Sequence, residues 1–320
     1  EAEIDDVSKQ KEFLDFGDVT YTEKNRAVVK VQDGCNMFCS YCIIPYARGR
    51  IRSRKIESVV SEIEKIAKEE IKEVVITGIH VASYGKDFDN ENTPKKIRLI
   101  DLLEAINKID GIDRIRLSSL EPTIVDEKFA TRLFKLDKMC DHFHLSLQSG
   151  CDETLKRMNR KYTKEQYLAL VEKMKARIPG IVLSTDIIVG FAGETDEDFE
   201  DTLDVVRKVC FEQVYMFIYS RRVGTPGDKM TNQVPEDIKH KRFDRLKELV
   251  ESQIAENNQK YIGTIQKVLV EGPSKNNPDL LTGRTDSNKV VIFEGSKELI
   301  DTIIDLKIIS EHMWYLKGEI

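Results

Sequence analysis

Alternating strand and helix patterns constrain the fold of this chain more than any other sequence feature. From residue 21 to 256, short apolar runs rich in β-branched residues are separated by segments with apolar residues at helical spacing. The predicted strands are 27–31, 74–77, 115–118, 143–147, 182–189 and 214–219. The predicted helices between them are 56–67, 99–109, 127–136, 164–176 and 196–209. Six strand–helix units predict an α/β fold with a partial (β/α)6 barrel, because a complete barrel needs eight.

The pattern changes after a long charged segment at 235–261, which predicts one helix entered at Pro235. The remaining residues alternate short strands with turns, as in a small all-β barrel. These strands are predicted at 264–270, 281–285, 289–293, 306–310 and 314–317. We therefore predict an acidic leader or linker at 1–20, an α/β domain at 21–256 and an all-β domain at 257–320.

Three of the six cysteines form the pattern C-x3-C-x2-C directly after the first predicted strand, at Cys35, Cys39 and Cys42. Thiolates this close suit one soft metal site. Structural zinc usually takes four ligands, but no fourth cysteine or histidine lies close to these three in the sequence. The nearest histidine is His80. A cubane iron–sulfur cluster normally takes four thiolates, so three leave one iron open for a substrate or cofactor. The spacing therefore favours a catalytic metal site at these three cysteines.

The other cysteines, Cys140, Cys151 and Cys210, are scattered, and we expect the last two to be packing residues. A disulfide framework does not suit a chain of this size, so a reducing cytoplasm is expected. No apolar run approaches the ~18 residues of a membrane span, so no membrane partner is expected.

The cysteine loop resembles that of the radical S-adenosylmethionine enzymes. In that superfamily the open iron of a [4Fe–4S] cluster is chelated by S-adenosylmethionine. One electron from the cluster then cleaves the S–C5′ bond and gives a 5′-deoxyadenosyl radical. The resemblance implies both cofactors here, and it implies that Tyr41 lies against the adenine.

Polar and glycine residues follow the predicted strands, where β/α barrels keep their active sites. The blocks are Thr77-Gly78-Ile79-His80, Ser118-Ser119-Leu120-Glu121-Pro122, His144-Leu145-Ser146-Leu147-Gln148-Ser149-Gly150 and Asp186-Ile187-Ile188-Val189-Gly190-Phe191. Together with Arg157-Met158-Asn159-Arg160-Lys161-Tyr162 they resemble the methylthiotransferases, and the all-β segment resembles the TRAM domain of that family.

By this resemblance, Thr77 and Gly78 meet the amino end of the methionine moiety, and Arg160 meets a carboxylate. Gly190 gives backbone access near the adenine. The residues expected to line the cofactor or substrate pocket are Glu121, Gln148, Ser149 and Asp186. Simpler roles stay open: Gln148 and Ser149 could satisfy strand-end backbone groups, and Asp186 could cap a helix.

The family resemblance implies a tRNA anticodon stem-loop as substrate and a reducing electron donor such as flavodoxin or ferredoxin. Our preferred substrate is N6-threonylcarbamoyladenosine, modified at C2 of the adenine. The alternatives are N6-isopentenyladenosine in tRNA, a ribosomal protein aspartate and, from other classes, a zinc-bound RNA-binding module or a scaffold fragment. Family members also carry an N-terminal domain with three further cysteines. Without it, we expect cleavage of S-adenosylmethionine but no complete methylthiolation.

Net charge is −6, which argues against bulk nucleic-acid binding, yet basic runs occur at 48–55, 156–161 and 221–222. The first run holds five bases beside the cysteine loop, where a tRNA phosphate could bind. Trp314 and Tyr315 could stack on bases, although core packing is the role we expect for the single tryptophan.

Overall fold

The computed structural model describes residues 7–15, 25–89 and 96–320. The predicted acidic leader at 1–20 falls outside the described residues except at 7–15. Within the described residues, no helix is long and apolar enough to cross a membrane.

The predicted helices and strands occur in the predicted order, together with three short elements that the sequence analysis did not predict. The α-helices are α1 Ile44–Arg48, α2 Ile56–Lys68, α3 Leu99–Ile106, α4 Glu127–Leu133, α5 Asp152–Arg157, α6 Lys164–Arg177, α7 Asp196–Val209 and α8 Glu236–Gln259. The first seven strands are β1 Arg26–Asp33, β2 Arg52–Ser53, β3 Glu73–Gly78, β4 Arg114–Leu117, β5 His142–His144, β6 Val182–Val189 and β7 Gln213–Ile218. The last five are β8 Ile265–Pro273, β9 Leu281–Thr285, β10 Val290–Phe293, β11 Ile303–His312 and β12 Tyr315–Glu319.

Six parallel strands form the partial barrel, which confirms the predicted fold class. β1, β3 and β4 pair in parallel, as do β5, β6 and β7. Isolated parallel bridges join the two groups at Ile115–Met139 and Leu120–Leu145. In the part of the chain that the structure describes, β7 pairs only with β6, so the barrel is open beside β7.

The outer faces of the strands carry the apolar side chains and the helices cover them. On β1, Ala27, Val29 and Val31 are buried, and the stripe on α2 that includes Val59 and Ile63 packs in the same core. Successive strand side chains point to opposite faces, so the residues between them face the barrel interior. This alternation is what delivers polar side chains to the interior.

The C-terminal residues form a closed five-stranded barrel in the order β10-β12-β11-β8-β9. Val268, Val291, Phe293 and Leu306 are among its fully buried core residues. The tryptophan expectation was wrong, because Trp314 lies in the turn between β11 and β12 with 67% of its surface exposed. The predicted domain boundaries stay predictions.

Charged residues at the starting ends of the parallel strands bind the small barrel. Arg114 on β4 donates to the backbone oxygens of Arg284 (3.0 Å) and Lys267 (2.9 Å). Arg116 donates to the oxygen of Asp286 (2.9 Å) and pairs with the fully buried Glu73 (2.7 Å). The TRAM-like barrel therefore covers the end of the α/β barrel opposite the cysteine loop.

Candidate active site

The cysteine loop begins with a turn that only glycine accommodates. Gly34 directly follows β1 with φ +67°, and a Cβ there would lie 1.9 Å from the backbone oxygen of Arg50. Buried Gln32 donates to the backbone oxygens of Asp33 (2.6 Å) and Gly34 (2.7 Å) and accepts from the His80 N–H (2.7 Å). One side chain thus fixes both the start of the loop and the end of β3.

The far side of the loop is held by residues 158–160, which follow α5. The Asn159 amide donates to the backbone oxygens of Met37 (3.2 Å) and Phe38 (2.9 Å). The Ser40 N–H donates to the Met158 oxygen (3.0 Å). Asn159 has φ +61°, a left-handed conformation that asparagine tolerates better than most residues.

All three loop cysteines are free thiols, with Cys39 buried and Cys35 and Cys42 half-buried. Burial is the largest cause that raises the pKa of Cys35, to about 11, and repulsion from Cys39 and Cys42 adds to it. Burial also raises the pKa of Cys42. Thiols in this environment need a cation to become thiolates at neutral pH, and a bound metal centre supplies one.

A buried ion pair lies beside Cys39. Arg160 donates to the Cys39 Sγ (3.5 Å) and to Glu121 Oε2 (2.6 Å), and both charged side chains are about 95% buried, with exposed fractions of 5% and 3%. Arg160 also donates to the Tyr162 hydroxyl (3.2 Å), which itself donates to the Ser146 oxygen (2.8 Å). The guanidinium is thereby fixed against the loop.

Two polar atoms at this site are buried without a hydrogen-bond partner among the described residues. They are Glu121 Oε1 and His80 Nε2, and the latter lies 3.8 Å from Glu121 Oε2. Burying an unpaired polar atom is costly, so a group that satisfies both belongs here. These atoms and the three free thiols fit a ligand that carries amino and carboxylate groups beside an iron–sulfur cluster.

No three Cys, His, Asp or Glu side chains in the described ranges converge on a single metal ion. A cubane does not require such convergence, because each of its cysteines bonds a different iron. The donor set of three thiols on one loop therefore fits a cluster better than one ion.

The barrel interior below the cysteine loop contains a chain of hydrogen bonds. Ser184 Oγ lies 2.9 Å from His142 Nε2 and 3.0 Å from His144 Nδ1. His144 Nε2 lies 2.9 Å from Asp186 Oδ2, which also accepts from Ser146 Oγ (3.3 Å). Burial lowers the pKa of His142 to about 3, so this ring stays neutral. Asp186 therefore faces the interior from β6 and caps no helix.

Several other expected site residues also lie at the cysteine end of the barrel. Tyr41 is half-buried, its ring is 6.4 Å from Phe191, and burial is the main cause that raises its pKa well above the usual value. Gln148 is buried with φ +65°, a strained conformation typical of functional sites. Thr77 and Gly78 end β3, where Gly78 pairs with Gln32 across the strands.

Two expected residues have structural partners instead. The Ser149 hydroxyl lies 3.3 Å from the Thr202 hydroxyl of α7 and accepts a hydrogen bond from the backbone N–H of Cys151 (3.3 Å). Gly190 has φ +73°, and a Cβ there would lie 2.3 Å from Lys239 Cγ on α8. Their roles at the cofactor stay predictions, as do those of the other expected contacts.

Two of the five basic residues at 48–55 are buried and stabilise the fold, which the sequence did not indicate. Arg52 is buried and donates to the Arg48 oxygen (3.0 Å), and buried Arg54 pairs with Asp15 (3.0 Å) and Glu62. The five bases are therefore not a continuous phosphate site. Exposed Arg48, Arg50 and Lys55 keep that possibility for part of the run.

Sequence reasoning missed the residues that hold the site together. Gln32 and Asn159 were not singled out, and His144 was named only as part of a motif. A signal existed for Asn159, because asparagine directly after a short helix often takes a left-handed conformation. Gln32 gave a weaker signal, as one polar residue that ends an apolar strand.

Comparisons with known proteins agree with this geometry. The sequence profile of the Radical SAM superfamily matches residues 29–206, and that of the TRAM domain matches residues 259–320. Among solved structures, a radical S-adenosylmethionine methyltransferase from Kitasatospora setae superposes with a TM-score of 0.52 at 22% identity, covering 63% of this chain and 38% of that one. Coproporphyrinogen III oxidase from Escherichia coli gives 0.51 at 13% identity, covering 83% and 68%. These two likenesses support the fold.

Curated relatives are named tRNA-2-methylthio-N(6)-dimethylallyladenosine synthase. The protein from Alkaliphilus oremlandii is 46% identical over 92% of this chain and 62% of its own length. Those from Caldicellulosiruptor saccharolyticus and Clostridium beijerinckii are 49% and 44% identical, over 92% and 98% of this chain and 61% and 68% of their own lengths. The chain thus spans between 61% and 68% of the length of these relatives.

A [4Fe–4S] cluster and S-adenosylmethionine are the cofactors of this superfamily, in agreement with the sequence expectation. Four observations point to the same family: the cysteine loop, the open barrel, the TRAM match and the high identity to these relatives. The chain therefore belongs to the radical S-adenosylmethionine methylthiotransferase family.

Proposed function

We propose that this chain is the radical and TRAM part of an enzyme that methylthiolates C2 of N6-dimethylallyladenosine in tRNA. The observation that carries the proposal is the loop with three free thiols beside the buried Arg160–Glu121 pair. The names of the relatives support the choice of substrate.

The substrate proposal corrects the preference drawn from the sequence. N6-threonylcarbamoyladenosine was preferred, but the relatives are named for the dimethylallyl nucleoside, which is the isopentenyl alternative. Arg160 contacts the cysteine loop through Cys39, so the motif that contains it is explained by the cofactor site and does not identify the nucleoside.

Cys35, Cys39 and Cys42 would hold the cluster. With S-adenosylmethionine bound, such a cluster would supply one-electron cleavage of this cofactor, the chemistry needed to remove the hydrogen from C2 of the adenine. Arg160 donates a hydrogen bond to the Cys39 sulfur and so holds this part of the loop in place. Glu121 accepts from Arg160 and keeps one carboxylate oxygen free for an amino or hydroxyl donor.

The remaining residues position the cysteine loop and line the interior of the barrel. Gln32 and Asn159 fix the two sides of the cysteine loop, so that a bound cofactor is held in one position. Asp186, held by His144 and Ser146, offers an anionic acceptor inside the barrel. We propose tRNA as the macromolecular substrate, contacted in part by the TRAM barrel. The electron donor and a cytoplasmic location stay predictions from the sequence.

Transfer of a hydrogen isotope tests this proposal. Reconstituted protein is reduced with S-adenosylmethionine and an anticodon stem-loop RNA that carries C2-deuterated N6-dimethylallyladenosine. We expect deuterium in the 5′-deoxyadenosine, and none with RNA deuterated at C8 of the same base. A parallel RNA carries C2-deuterated N6-threonylcarbamoyladenosine. Deuterium transfer from this RNA alone would overturn the substrate proposal. No transfer from either of the two C2-deuterated RNAs would overturn the proposed reaction. Cys39→Ala is the control for chemistry without a cluster.

A further inference from the structure

Two large aromatic side chains on β7 face the interior of the open barrel. Val214 and its alternate neighbours Met216 and Ile218 pack in the helix-covered core. Tyr215 and Phe217 therefore point to the opposite face, where 43% and 50% of their surfaces are exposed. Exposed aromatic side chains on a barrel wall indicate a surface that a ligand covers.

These rings continue an apolar surface that begins at the cysteine loop. Phe217 pairs with Ile188 of β6 across the strands. Ile188 packs against the cluster formed by Met158, Phe191 and Tyr219, and Tyr41 packs against the same cluster. Tyr41 directly precedes Cys42 in the cysteine loop. The Tyr215–Phe217 strip thus lies on the same barrel wall as Ile188 and the apolar cluster beside the cysteine loop.

The polar group next to the strip is the carboxylate of Asp186. Asp186 pairs with Tyr215 across the strands, and the ring of His144 lies 5.6 Å from the Tyr215 ring. Both ring nitrogens of His144 already have partners, Ser184 and Asp186. Arg160 is occupied by Glu121 and the cysteine loop. The strip therefore offers hydrocarbon surface beside a carboxylate.

We propose that Tyr215 and Phe217 bind the dimethylallyl group of the substrate adenosine and select it over anionic N6 substituents. This inference rests on the proposed function and extends it to named specificity residues. A branched five-carbon hydrocarbon gains by leaving water against two aromatic rings. A threonylcarbamoyl group would bring its carboxylate to apolar surface and toward Asp186, which costs free energy on both counts.

Substitutions of equal size isolate polarity from shape. Phe217→Leu keeps a hydrocarbon side chain, whereas Phe217→Asn has nearly the same size as leucine but is polar. Leu170→Asn makes the same change of polarity on α6, outside the barrel, where Leu170 is half-buried. The melting temperature of each variant shows that it is folded.

The readout is equilibrium binding of labelled anticodon stem-loop RNAs to the reconstituted protein, measured by fluorescence anisotropy. Three RNAs are compared: one with N6-dimethylallyladenosine, one with N6-threonylcarbamoyladenosine and one with unmodified adenosine. We expect the wild-type protein to bind the dimethylallyl RNA about tenfold more tightly than either of the others. Phe217→Asn should reduce this preference to about twofold or less, while Phe217→Leu and Leu170→Asn keep at least half of it.

The possible outcomes distinguish a failure of the strip proposal from a failure of the proposed function. If the wild-type protein prefers the dimethylallyl RNA and Phe217→Asn keeps that preference, the strip proposal is overturned while the substrate proposal stands. If the wild-type protein does not prefer this RNA, the substrate proposal fails and the inference fails with it. If Phe217→Asn weakens binding of all three RNAs equally, the strip stacks on bases and does not read the alkyl group.

Discussion

The amide of Asn159 is expected to control how firmly the cysteine loop holds its metal. Its Nδ2 donates to the oxygens of Met37 (3.2 Å) and Phe38 (2.9 Å), and both acceptors lie between Cys35 and Cys39. In Asn159→Gly both bonds are lost while the left-handed backbone conformation stays available. At about 1 kcal/mol each, the lost bonds favour displacement of the loop by about 2 kcal/mol.

This free energy corresponds to an increase of about 30-fold in the population of the displaced loop, since 1.36 kcal/mol is a factor of ten. If iron leaves only from that population, its first-order release to a colorimetric chelator should speed up by the same factor. The assay uses protein reconstituted without oxygen, with S-adenosylmethionine absent. Asn159→Asp is the matched variant, because it keeps the size but replaces the donor by a carboxylate that repels both backbone oxygens.

Asn159→Asp should therefore release iron at least as fast as Asn159→Gly. Lys156→Ala, at an exposed position of α5, is the control, with release within about twofold of wild type. Release by Asn159→Gly at the wild-type rate would refute the reasoning, since it would mean that Asn159 does not hold the loop closed.

Three further perturbations test other parts of the structure. Gly34→Ala should lower the free energy of unfolding by about 3 kcal/mol in urea titrations, because its Cβ would lie 1.9 Å from the Arg50 oxygen; a loss below about 1 kcal/mol would contradict the turn geometry. His142 should make stability fall as pH falls from about 6.5 toward 3, because the unfolded ring takes up a proton that the buried ring, with a pKa of about 3, does not. The loss attributable to it is about 2 kcal/mol at pH 5, and His142→Asn should remove that slope from urea titrations at pH 7 and 5. Trp314→Ala should change the free energy of unfolding by less than about 0.5 kcal/mol, yet weaken binding of the anticodon stem-loop about fivefold or more if the exposed ring stacks on RNA; unchanged RNA affinity would remove Trp314 from that surface.

Much of the fold was predictable, because the barrel strands alternate with amphipathic helices in a way that few architectures accept. The strand predicted at 182–189 and the helix predicted at 196–209 have the observed bounds of β6 and α7. The strand predicted at 143–147 is shorter in the structure, because β5 ends at His144 and Leu145 forms only an isolated bridge to Leu120. The short elements α1, β2 and α5 were missed, since two to six residues show no periodicity.

The site was predictable only where chemistry leaves a local pattern. The spacing of Cys35, Cys39 and Cys42 is such a pattern. Glu121 and Arg160 were named from a resemblance, but their mutual contact brings together residues 39 positions apart and needed the structure. The buried arginines at 52 and 54 and the exposed Trp314 were misjudged because burial depends on neighbours that are distant in the sequence.

The central claim is that the three loop cysteines hold a cluster that cleaves S-adenosylmethionine. It is tested most directly by anaerobic reconstitution with iron and sulfide, followed by reduction with S-adenosylmethionine present. Metal content and 5′-deoxyadenosine are measured in wild type and in Cys39→Ala. We predict about four irons per chain and 5′-deoxyadenosine formation that Cys39→Ala abolishes. A colourless protein with about one zinc and no 5′-deoxyadenosine would contradict the account and support the zinc-bound RNA-binding module.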